Sequence, residues 1–214
     1  MSLAARLRLR RAMEDATRVL IENGANVVVW PEGGTGAAIF DSIRRLETMD
    51  TNRTALIVAG DLYRDGVSVA ATATLHKGQL VHLHEKVREV PGMEARPVAS
   101  SLETFLVQRA RVASLICYAS TWRWVFARLQ RIDTEFLIVQ SDATSFVHTS
   151  LARLHWHLTA LLAIERRIPT FFVSRNGGVH WIVPRLGLLD SAKSSSGTVD
   201  LTIPGPPDRA ASIL

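Results

Sequence analysis

The sequence predicts an α/β or α+β domain rich in sheet, with helices covering the sheet faces. Short continuous apolar runs are one reason. Val27-Val28-Val29-Trp30, Thr54 to Ala59, Val112 to Ile116 and Phe136 to Val139 each stop at turn or polar residues, the pattern of strands buried on both sides. Long helical patterns at both ends of the chain, 3–23 and 151–167, are another. Size is the last. The 214 residues, 47% hydrophobic and 21% charged, suffice for one core, and no repeat or linker divides them. A single domain over 1–214 is expected.

Residues 3–23 read as an amphipathic helix, with Leu7, Met13, Val19 and Leu20 near one face and Asn23-Gly24 closing it. Thr54 to Ala59 should end at Gly60-Asp61. Ala70 to Leu75 and Leu80 to Leu83 flank Lys77-Gly78 as a hairpin. Thr104 to Gln108 and Val112 to Ile116 read as strands, and Trp122 to Arg131 as a helix capped by Thr121. The long helix should end near Arg167 because Pro169 follows. Thr170 to Val173 and His180 to Val183 read as strands around the turn Asn176-Gly177-Gly178, with Thr198 to Ile203 as a last strand.

The net charge is +5, from 25 Lys+Arg and 20 Asp+Glu. The basic residues are dispersed except for Arg6, Arg8, Arg10 and Arg11, which read as a solvated helix face. No aromatic interleaving accompanies them, so no nucleic-acid partner is expected. One cysteine permits no intrachain disulfide. No apolar run approaches the roughly 20 residues that span a bilayer, and no signal-peptide core follows Met1. His and Cys spacings match no zinc pattern, so no metal is expected. His84, His148 and His180 read as surface residues without a role.

Three strand ends leave a reactive side chain in a polar break. Glu32 follows the run ending at Trp30-Pro31, beside Gly33-Gly34. A carboxylate at a sheet rim is partly desolvated, which raises its pKa and suits a general base. Lys86 follows the hairpin, and Cys117 ends the run Leu115-Ile116. Alone, Glu32 is equally a solvated loop residue, Lys86 an exposed lysine and Cys117 an inert core thiol. A cysteine becomes a nucleophile where a base and a positive charge sit beside it.

In this order and with these flanks, the three segments resemble the carbon–nitrogen hydrolase (nitrilase) superfamily, and within it the apolipoprotein N-acyltransferases. Trp30-Pro31-Glu32, Lys86 with Val90-Pro91 and Glu94, and Leu115-Ile116-Cys117-Tyr118 carry the resemblance. Ser141-Asp142-Ala143, Ala163-Ile164-Glu165-Arg166, Arg175-Asn176-Gly177-Gly178-Val179 and Pro184-Arg185-Leu186-Gly187 extend it. The resemblance implies an α-β-β-α sandwich, often paired sheet to sheet as a homodimer when soluble. It implies Glu32 as base, Lys86 as oxyanion partner and Cys117 as nucleophile, supported by Glu94, Tyr118, Asp142 and Asn176. Neither a metal nor an organic cofactor is implied.

Ala119 stands where the family usually has glutamate, Ala71 where it tends to have asparagine, and Thr144 where it has an aromatic residue. The family's opening strand has no counterpart before the first helix, which suggests a fragment of a longer membrane protein or a relative that dispenses with that strand. The function expected first is acyl transfer through a cysteine thioester, from a phospholipid donor to an amino group at a membrane surface. The alternative is hydrolysis of small amides by a soluble amidase. A second alternative is a diverged, non-catalytic module of the conjugation-associated kind. The location follows the function: the periplasmic face of a membrane for the acyltransferase, the cytoplasm for the amidase. Trp122, Trp124 and Phe126, with His155, Trp156 and His157, read as core packing first and as an acyl-chain wall second.

Overall fold

The computed structural model describes residues 2–35, 38–49, 52–64, 66–88, 90, 101–107, 109–146, 150–176, 178–184 and 188–190. Two sheets pack face to face between outer helices. The first sheet has the order β1 (Val27–Val29), β2 (Ala55–Arg64), β3 (Val67–His76), β4 (Gln79–Glu85). β1 and β2 run parallel, and the other neighbours are antiparallel. The second sheet contains β5 (Phe105–Val107), β6 (Ala110–Ile116), β7 (Phe136–Asp142), β8 (Thr170–Arg175), β9 (Gly178–Val183) and β10 (Leu188–Asp190). Its spatial order is β10-β9-β8-β7-β6-β5, with β6, β7 and β8 parallel.

Side chains alternate between the faces of a strand. Here both faces are covered, which explains the unbroken apolar runs. In β1 and β2, Val28, Leu56 and Val58 face α1 (Leu3–Glu22) and α2 (Ile39–Leu46). Their neighbours Val27, Val29, Ala55 and Ile57 meet Phe105, Val112, Phe136 and Ile138 between the sheets. Leu115, Leu137, Val139, Phe172 and Ile182 turn outward to α3 (Arg123–Arg131) and α4 (Leu151–Arg166). The layer order is therefore α, β, β, α, as expected. Among the described residues no strand precedes α1.

A polar network sits within the inter-sheet layer. Fully buried Gln140 donates to the carbonyl oxygens of Trp30 (2.6 Å) and Ile57 (3.3 Å). Its Oε1 accepts from the hydroxyls of Thr72 and Ser114, each at 2.9 Å. One side chain thus ties β7 to the first sheet, directly behind the turn that carries Glu32. Trp30 is itself held to α1, its indole donating to Thr17 at 2.9 Å.

Several expectations need correction. α1 packs on the sheet through Met13 and Leu20 of the expected stripe, together with Ile21, but not through the whole of it. Val19 is exposed, while Arg10, Glu14 and Thr17 are buried. Arg10 pairs with Glu14 at 3.6 Å and is not part of a solvated basic face. Thr121 does not cap α3; its hydroxyl donates back to the Tyr118 carbonyl, and Trp122 stands at the cap without a side-chain bond. α2 is unanticipated. Its Ile39, Ile43 and Leu46 keep a helical spacing, but the helix is only eight residues long and Phe40 points outward. β2 and β3 extend to Arg64 and Val67, because antiparallel pairing satisfies polar backbone whether or not the side chains are apolar. β7 runs on through Gln140, Ser141 and Asp142 for the same reason. β10 was not anticipated as a strand. His84 is buried, not at the surface, and His180 stacks on Trp156 at 4.2 Å between ring centroids. The strand expected at Thr198 to Ile203, His148 and Glu94 lie outside the described residues.

Candidate active site

The sheets bring five strand ends to one rim. β1 and β4 run in the same direction in the first sheet, and β6, β7 and β8 in the second. Glu32, Lys86, Cys117, Asp142 and Arg175 follow or end these strands.

Lys86 is buried, and its ammonium lies 3.4 Å from Glu32 Oε1. Glu32 Oε2 accepts from the Asp142 backbone N–H at 3.1 Å. The carboxylate is thus held from both sides, by β4 and by β7. Cys117 also faces this pair. Burial pushes its thiol up to about 12, and the Glu32 charge adds to the effect. The Lys86 charge and a hydrogen bond from Ser141 act the other way. Ser141 Oγ lies 3.8 Å from the sulfur. At neutral pH the resting sulfur is a thiol, and becomes a nucleophile only as a base removes its proton.

Cys117 has a φ of 49°, in the left-handed region that residues with a Cβ rarely occupy. It stands where β6 passes into a 3-10 turn, Cys117–Thr121. Two groups grip its carbonyl oxygen. Ser120 Oγ donates at 2.9 Å, and His155 Nε2 approaches to 3.0 Å from α4. A carbonyl only accepts, so the proton of the neutral ring sits on Nε2. Nδ1 then faces the Ser141 hydroxyl at 3.4 Å. Burial, offset in part by the bond to the Cys117 carbonyl, lowers the His155 pKa to about 4. Ser120 also bonds Thr159 at 2.8 Å. His155 was anticipated as packing or as part of an acyl-chain wall. The overlooked signal was the i, i+4 spacing of two polar residues, His155 and Thr159, on the face of α4 that also buries Ala160 and Ala163.

Asp142 reaches the site through its backbone, while its carboxylate faces the rim. It pairs there with the Arg175 guanidinium and accepts from the Thr144 backbone N–H at 2.8 Å. Arg175 Nε also donates to Thr144 Oγ1 at 2.9 Å. Thr144 thus belongs to this ion-pair cluster. Asn176 sits at its edge, its amide 3.4 Å from Thr144 Oγ1. Tyr118 contacts Trp122 edge-on, with centroids 5.8 Å apart, and Arg88 lies over the Trp122 ring at 4.5 Å. Phe126 and Trp156 are packing residues, whereas Trp124 is exposed. Ala119 is fully buried in the apolar cluster beneath α3 and α4, and Ala71 lies opposite Gly60 and Glu85.

This layout agrees with a family match. Residues 6–197 match the carbon-nitrogen hydrolase family. The chain belongs to that family. Its fold also matches solved nitrilase-superfamily structures from Nesterenkonia sp. An amidase from that organism is 15% identical, with a TM-score of 0.71 over 86% of this chain and 79% of that one. A cysteine-to-alanine mutant of the AN1 amidase in complex with butyramide is also 15% identical, with a TM-score of 0.70 over 88% and 80%. A third structure carries the acetamide moiety of fluoroacetamide on its active-site cysteine. It is 16% identical, with a TM-score of 0.71 over 88% and 80%. At such identities the likeness concerns the fold alone. No curated protein matches the chain significantly. As a carbon-nitrogen hydrolase family member the chain is a nitrilase-superfamily enzyme. No helix among the described residues is long and apolar enough to cross a membrane.

Proposed function

We propose that the protein hydrolyses small amides through a thioester on Cys117. The observation that carries this reading is the convergence of Glu32, Lys86 and Cys117 from three separate strands. Glu32 takes the thiol proton as the sulfur attacks the amide carbon. The developing oxyanion is met by the Lys86 ammonium and the Tyr118 backbone N–H. Collapse of the tetrahedral intermediate breaks the carbon–nitrogen bond, and Glu32 returns the proton to the departing amine. Water then attacks the thioester, losing a proton to Glu32, and the acid leaves as the thiol reforms. A resting thiol fits this sequence, because the base and the nucleophile activate together only when a substrate is present.

The amidase neighbours favour water as acceptor. A second reading keeps the same thioester and replaces water by an amino group, with a phospholipid as acyl donor. The outward-facing Leu151, Leu154, Leu158 and Leu161 of α4 favour it, since they offer an apolar surface.

The test is ammonia release from a panel of short aliphatic amides, with intact-mass analysis of Cys117 after fluoroacetamide. Turnover and a single adduct, both lost in Cys117→Ala and Glu32→Gln, are the expected result. Acylation of Cys117 by phospholipid vesicles without amide turnover would favour the second reading. No adduct with either reagent, and Cys117→Ala indistinguishable from wild type, would overturn both.

A further inference from the structure

A second cluster of reactive side chains lies away from Cys117, on the edge strands of the two sheets. His82 and His84 are two apart on β4, so their rings share one face. They lie opposite Thr74 and Thr72 of β3. Thr72 donates to Gln140 of the second sheet, so this face of β4 looks into the inter-sheet layer. β4 is the edge of its sheet and β5 the edge of the other. They meet here, with His82 stacked on Phe105 at 4.6 Å and the two imidazoles stacked nearly parallel, 13° apart with centroids at 6.0 Å. Glu103, just before β5, brings a carboxylate to the same place. One ligand atom from each of His82, His84 and Glu103 lies within 4.8 Å of the other two.

We propose that His82, His84 and Glu103 bind one borderline divalent transition ion of the zinc class, with a fourth position open to water. Two imidazole nitrogens and one carboxylate oxygen are a donor set that such ions prefer, and one that calcium and magnesium do not. Bonds of about 2.0–2.1 Å place tetrahedral ligands about 3.3 Å apart, so atoms separated by as much as 4.8 Å must close by up to about 1.5 Å. Glu103 is exposed and can make most of that movement. Among the described residues, neither imidazole has a hydrogen-bond partner. A coordinated ion would satisfy a ring nitrogen on each. Burial also keeps the rings neutral, His84 most strongly, with a pKa of about 4.

The ion would act as a clasp. It would join the end of β4 to the approach to β5, so the chain between them becomes a closed loop. Lys86 lies at the start of that loop, two residues after His84. Binding would therefore stabilise the segment that presents the Lys86 ammonium to Glu32. Binding of the ion itself does not depend on the chemistry proposed for Cys117.

The experiment is titration of the metal-stripped full-length chain with Zn(II) against a chromogenic chelator, followed by Co(II) substitution. One equivalent should bind in the micromolar range or tighter. Co(II) should give the visible absorption of a tetrahedral nitrogen–oxygen site without a thiolate charge-transfer band. Affinity should fall by about tenfold or more in His82→Gln and in Glu103→Gln, and be unchanged in Cys117→Ser. If His82→Gln does not fold, the exposed Glu103→Gln carries the comparison alone. No binding tighter than millimolar, equal affinity in wild type and Glu103→Gln, or loss of binding in Cys117→Ser would each overturn the proposal.

Discussion

His155 on α4 holds the carbonyl oxygen of Cys117 at 3.0 Å, although the two belong to different layers of the molecule. Ser120 reaches the same oxygen from within the 3-10 turn. Together they brace a cysteine whose φ of 49° is sterically unfavourable. His155 is therefore a positioning residue. In His155→Ala, fluoroacetamide labelling of Cys117 should slow by roughly tenfold, about 1.4 kcal/mol at the barrier. His155→Gln can still donate to the carbonyl and should recover part of that rate.

The same histidine should shape the acid limb of stability. Its pKa falls from 6.5 to about 4 on folding, chiefly through burial, with the Lys86 charge contributing. The unfolded chain therefore takes up a proton before the folded one does. The stabilisation is fully present above pH 6.5 and is lost as pH falls toward 4. Urea unfolding at pH 7 and pH 5 should show His155→Gln losing about 1–2 kcal/mol less than wild type over that interval.

Cys117 should act at the opposite end of the scale. Its pKa rises from 9.0 to about 12, mainly by burial and then by the Glu32 charge. Its stabilisation is present below pH 9 and is lost as pH rises toward 12, because the unfolded thiol ionises first. Cys117→Ala should flatten unfolding free energy against pH above 9. Cys117→Gly should be more stable than Cys117→Ala by about 1 kcal/mol, the reverse of the usual order, because of the left-handed backbone. Denaturant titrations of the two variants measure that difference.

Gly60 is sterically bound to Thr35 in the turn after Glu32. A Cβ at Gly60 would stand 2.2 Å from Thr35 Oγ1 and 2.9 Å from its Cγ2. Gly60→Ala should cost about 1–3 kcal/mol and, by displacing the turn, slow Cys117 labelling as well. Adding Thr35→Ala should restore part of both. Equal stability of Gly60→Ala and wild type in thermal melts would contradict the contact.

Gln140→Leu should lower stability by about 2 kcal/mol or more, since the Trp30 carbonyl and two hydroxyls lose a buried partner. Calorimetric melting measures it.

Much of the site was legible because its chemistry is local. Glu32 and Cys117 each stand at the end of an apolar run, where the break in hydropathy marks them, and Lys86 follows a hairpin marked by Lys77-Gly78. Asp142 and Asn176 were also placed near the site, although Asp142 holds Glu32 through its backbone and turns its carboxylate to Arg175. His155, Ser120 and Arg175 were not assigned roles. His155 and Arg175 act on partners distant in sequence, and the role of Ser120 depends on a 3-10 turn that hydropathy does not mark. The hydrophobic reading of β7 stopped at Val139 because Gln140 and Ser141 are polar. Only its partners at Trp30, just after β1, and in β2, β3 and β6 allow Gln140 to be buried.

The sequence by itself determined most of the strands, the two long helices, the family resemblance and the order of the three reactive residues. These follow from periodicity and turn chemistry, which are short-range properties. Tertiary structure alone decided which face of each strand meets the other sheet, since runs that are apolar on both faces do not distinguish them. It also decided that Glu32 and Lys86 meet at 3.4 Å, and that burial raises the Cys117 pKa and lowers that of His155. Distance between strands and exclusion of water are products of packing, and both appear only when the layers close.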